Sequence, residues 1–96
     1  MREVFLVAAE NKSKAEDLLR RDDEVSRGSI TLKSPGSLDM DEEGYFIIID
    51  ASDERIKKAE HLLHGLATKY SHQEKVLEKI DEQENSAIEG FGSILG

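Results

Sequence analysis

The sequence predicts a small α+β domain, and three features carry that expectation. Residues 4–9 and 45–49 are short, uninterrupted apolar runs, the pattern of strands covered on both faces. Between and after them lie helix-forming stretches with apolar residues in steps of three and four. From Ile56 to the C-terminus one such stripe continues through Ala59, Leu63, Leu66, Tyr70, Leu77, Ile80, Ala87, Phe91 and Ile94, interrupted by Gln73 and Glu84.

The first strand occupies residues 4–9 and ends at Asn11-Lys12-Ser13. Ser13 and Glu16 have capping-box spacing and predict a helix start, with Ala15, Leu18 and Leu19 on the buried face and a stop near Asp22-Asp23. Gly28 marks a turn. Residues 29–33 then alternate polar and apolar, as a strand with one wet face does. Ser34-Pro35-Gly36-Ser37 breaks that strand, and an acidic loop, residues 39–44, leads into the strongest strand, residues 45–49. Asp50 or Ser52 caps the next helix, with Asp53 and Glu54 at its positive end. This helix is expected to run to about Lys69. Ser71 and Glu74 offer a second capping box, which favours a break there, although no Gly or Asn stands beside Tyr70 to close the first helix.

The resulting order is strand, helix, strand, strand, helix, helix. It matches a small ferredoxin-like βαββα unit of sheet plus helices, with an additional C-terminal helix in place of the fourth strand. The division expected is an α+β domain over residues 1–70 and an amphipathic helix or tail over residues 71–96. That tail belongs either to the same domain or to an oligomer interface. In such a sheet the first and third strands lie side by side at the centre. Two helices cover one face, and the apolar surface of residues 76–95 is available for the other.

Composition narrows the function classes. Ninety-six residues allow one modest core, and acids exceed bases by eight. An acidic surface disfavours nucleic acid and anionic lipid. No cysteine is present, which excludes disulfides, thiolate metal sites and thiol catalysis. Arg2-Glu3 leads only into a short apolar run, and no stretch approaches the roughly 20 apolar residues of a membrane span. The expectation is a cytoplasmic protein with no membrane partner.

The sharpest local motif is the acidic loop. Asp39, Asp41, Glu43, Gly44 and Asp50 fall at positions one, three, five, six and twelve of an EF-hand-type calcium loop. Glutamate at five, aspartate at twelve and a strand over residues 45–50 depart from that pattern. The metal candidates are Asp39, Asp41, Glu43 and Asp50, with calcium the one cofactor considered and weak binding the most they would give. His61 and His64, with Glu60 beside them, are three apart on a helix but lack the third ligand of a zinc site. Val4-Phe5-Leu6 and Gly44-Tyr45-Phe46-Ile47 loosely resemble the strand motifs of RNA-recognition modules, which stack bases on strand aromatics. Here Glu43 replaces the basic residue, and Ile49 stands where an aromatic is expected. No serine elbow or P-loop is present.

The expected function is therefore a non-enzymatic protein-interaction or oligomerisation module. Self-association would run through Tyr70, Leu77, Ile80, Ala87, Ile88, Phe91 and Ile94. The alternatives are weak calcium binding through residues 39–50 and an RNA-recognition-like module. Gln73 and Glu84, polar residues on the stripe, are expected to set the register of association.

Overall fold

The computed structural model describes residues 1–83. Four antiparallel strands, β1 (Arg2–Val7), β2 (Ser29–Lys33), β3 (Tyr45–Asp50) and β4 (Ala67–Lys69), form one sheet in the order β2-β3-β1-β4. β1 and β3 are paired along their whole length, from Arg2 opposite Asp50 to Val7 opposite Tyr45. Helix α1 (Lys12–Arg21) links β1 to β2, and α2 (Asp53–Leu62) links β3 to β4. A third helix, α3, covers residues 73–83. The fold is a small α+β domain with helices on both sheet faces.

The alternation of side chains along β1 and β3 divides the core in two. Phe5, Val7, Ile47 and Ile49 point to α1 and α2, where they meet Ala15, Leu19, Ile56, Ala59 and Leu63. Val4, Phe46 and Ile48 point the other way, against Tyr70, Val76 and Ile80. The two central strands are buried on both faces because each face has its own helical cover.

This division corrects the single seam expected from the stripe. Its first half, Ile56, Ala59 and Leu63, lies on one face of the sheet, and Tyr70 and Ile80 lie on the other. Val76, which the stripe skipped, is fully buried, whereas its neighbour Leu77 is only partly so. The helix expected to reach Lys69 ends at Leu62. Gly65 then adopts φ +80°, and the amides of Leu66 and Ala67 donate to the Leu63 carbonyl. The chain thereby turns into β4, a short fourth strand that α3 follows and does not replace. A left-handed glycine closes this turn because only glycine enters that region without steric cost.

Local caps differ in part from expectation. Ser52 caps α2, accepting a bond from the Arg55 amide at 3.4 Å. Ser13 does not cap α1, which already begins at Lys12 behind a 3₁₀ turn, Ala9–Asn11; Glu16 instead bonds Arg20 at 3.1 Å. The break at Tyr70–Ser71 is present, but the α3 amides of Lys75 and Val76 donate to the His72 carbonyl. No helix among the described residues is long and apolar enough to cross a membrane.

Candidate functional site

The acidic loop is built from a 3₁₀ turn, Pro35–Leu38, that buries Pro35 and Leu38. Asp39 closes it in the left-handed region at φ 54°, with its amide donating to Gly36 and the Met40 amide donating to Pro35. Met40 packs on the α3-side core. Glu42, itself exposed, accepts the Tyr70 hydroxyl at 2.9 Å. Burial, and then Glu42, push the Tyr70 phenol above its ordinary range. Asp39, Asp41 and Glu43 remain exposed on this loop. Asp50 stands at the opposite end of β3, roughly 17 Å along a six-residue strand, and lies 3.6 Å from the N-terminal ammonium. The calcium-loop offsets therefore do not converge: residue twelve of the motif belongs to a strand running away from the other ligands. Among the described residues no group of three or more His, Asp or Glu side chains is placed to hold a metal ion.

His61 on α2 and His64 in the turn after it are exposed. His61 and His64 line a shallow hollow of about 440 Å³ with Lys57 and Glu60. Glu60 is engaged by Lys69 at 2.6 Å, and that contact raises the Lys69 pKa. Of the two strand aromatics considered for base stacking, Phe5 is buried under α1 and α2. Phe46 is buried under α3 with its ring 4.9 Å from that of Tyr70.

Gln73 has a role that the stripe did not suggest. β4 pairs only with residues 5–7 of β1, which leaves the edge of residues 2–4 without a strand neighbour. The Tyr70 amide donates to the Val4 carbonyl at 2.9 Å, and the Gln73 side-chain oxygen accepts from the Val4 amide at 3.0 Å. Its nitrogen donates to Glu3 at 3.2 Å, and Glu3 also meets Lys69 at 3.4 Å. One side-chain amide thus stands in for the missing strand and satisfies the buried Glu3. Gln73 ties α3 to its own sheet. Glu84, the other interruption of the stripe, lies outside the described residues, as do Ala87, Ile88, Phe91 and Ile94.

Gln73→Leu should therefore lower stability by about 1–3 kcal/mol, the cost of leaving a buried backbone donor unsatisfied. Thermal unfolding would measure that loss, and hydrogen exchange should show faster exchange of the Val4 amide. Unchanged melting with a protected Val4 amide would contradict this role.

At its far end α3 is held by Arg2, whose guanidinium bonds both Asp81 oxygens at 2.9 and 3.1 Å. That pairing lowers the Asp81 pKa. Gln83 donates to the Ser37 carbonyl beside the 3₁₀ turn. Among the described residues, the opposite end of the same sheet face carries no helix. There Leu6, Ala8, Leu66 and Thr68, flanked by Gly44 and Gly65, line an open groove of about 540 Å³. Leu6 and Leu66 are half-buried in it. Several carboxylates among the described residues serve as turn caps or ion-pair partners. Asp22 is one of these. It accepts the amides of Val25 and Glu24, lies 3.1 Å from Lys58, and is held below the usual carboxylate range, chiefly by the Val25 amide. Comparison of the chain with protein-family models, curated proteins and solved structures found no match in any of the three.

Proposed function

We propose that this chain is a small, non-enzymatic protein-association module of the cytoplasm, a ferredoxin-like βαββαβ sheet with one added helix, which self-associates through residues that follow α3. The observation that carries the reading is how its apolar residues are allocated. Apart from Leu66, which lines the open groove, the stripe up to Ile80 lies against the chain's own sheet. Among the described residues Met1 is the large hydrophobic left exposed, at 63%. The sequence nevertheless goes on to Ala87, Ile88, Phe91 and Ile94. Burying a phenylalanine or isoleucine is worth roughly 1.5–3 kcal/mol each, so a second copy that covers them gains a useful fraction of an interface.

Sedimentation of the full chain beside Phe91→Asp tests this. The wild type should exceed the mass of one chain at micromolar concentration, and the variant should lose at least tenfold in association constant. A wild-type chain that is monomeric at every concentration would overturn the proposal.

A further inference from the structure

We propose that the surface joining two copies is the outer edge of β2, paired antiparallel with the same strand of a second copy about a two-fold axis at Thr31. The inference rests on the self-association proposed above and names its site. β2 is an edge strand of five residues, and among the described residues no backbone group bonds to its outer side. An open edge of that length without proline is a template for another strand. The other edge strand, β4, has three residues, and the edge of β1 beyond it is closed by Tyr70 and Gln73.

Charge selects a second copy as the occupant. The chain carries a net charge of −8, so two copies repel unless they meet where acids are absent. Residues 25–38 form the longest acid-free run in the sequence, and β2 lies within it. Centring the pairing on Thr31 sets Lys33 opposite the partner's Ser29, and Ile30 opposite the partner's Leu32. Ile30 and Leu32 are half-buried beside the α1–α2 core, and their uncovered sides would meet across the axis. On the other face Ser29, Thr31, Lys33 and Asp50 share one hollow, and Ser29 is the neighbour of Asp50 in the sheet. Strands lie about 4.8 Å apart, so Lys33 reaches over the small partner's Ser29 to the partner's Asp50. Symmetry makes that ion pair twice. Lys33 has no ion-pair partner among the described residues, and Asp50 has only the N-terminal ammonium at 3.6 Å. A five-residue strand pair alone falls short of the roughly 1,200 Å² of a stable interface. The apolar residues to which association is assigned above lie outside the described residues and would have to supply the remaining area.

Because the chain has no cysteine, Thr31→Cys supplies a unique probe. Facing residues across an antiparallel pair lie about 4.5–5.5 Å apart, within the ~4.4–6.8 Å that a disulfide spans. The full-length Thr31→Cys chain should oxidise to a covalent dimer, whereas Ser13→Cys on α1 should not. Lys33→Glu should weaken association at least tenfold, and Lys33→Glu with Asp50→Lys should restore it. If the wild type associates but Thr31→Cys cross-links no faster than Ser13→Cys, the β2 edge is overturned and self-association stands. A monomeric wild type removes both.

Discussion

Phe46→Ala is expected to cost about 3–5 kcal/mol, the usual loss for truncating a fully buried aromatic. Phe46 is fully buried on a central strand, and its ring meets Tyr70 on the side that α3 covers. The substitution opens a cavity between sheet and α3 and withdraws the support of the Tyr70–Glu42 bond. For a domain stable by about 5–15 kcal/mol, that is a large fraction. Urea unfolding followed by circular dichroism measures it. A loss below about 1 kcal/mol would mean that α3 does not seal this face.

Gly44→Ala should be nearly as damaging, although it adds a single methyl group to a loop. Gly44 has φ +98°, where an L side chain is strained by about 1–3 kcal/mol. A Cβ there would also fall 2.2 Å from the Val7 carbonyl oxygen. That atom is backbone of a central strand and cannot swing aside, so the start of β3 must part from the end of β1. Displacement of this kind adds roughly 1–3 kcal/mol. Thermal unfolding should fall accordingly, and Gly36→Ala, where a Cβ meets nothing within 4 Å, should leave it almost unchanged. Equal effects at the two glycines would contradict the close approach.

The sheet was legible because its central strands announce themselves. Residues 4–7 and 45–49 are apolar at every position, which requires cover on both faces, and the structure places β1 and β3 side by side with cover on both. What sequence reasoning missed was carried by single residues whose meaning is tertiary. Gly65 ends α2 and starts β4, but the i, i+3, i+4 spacing of apolar residues runs across it without a fault. Leu38 and Met40 look like loop residues beside a run of acids, yet both belong to the core under α3. Gln73 looked like a polar fault in a seam. Only the short reach of β4 reveals that it replaces a strand. The candidate metal residues were grouped by sequence offset alone, and the strand between Gly44 and Asp50 carries the last of them away from the rest.

The central claim is that the stripe divides: residues through α3 complete the fold, and those after it serve association. A chain ending at Gln83 tests it most directly, with sedimentation and thermal unfolding performed on one sample. The division predicts a cooperatively folded species with the mass of one chain, beside a full-length chain of greater mass. A truncated chain that no longer unfolds cooperatively would place the last residues in the core, and one that keeps the mass of the full-length assembly would show that they do not join the copies.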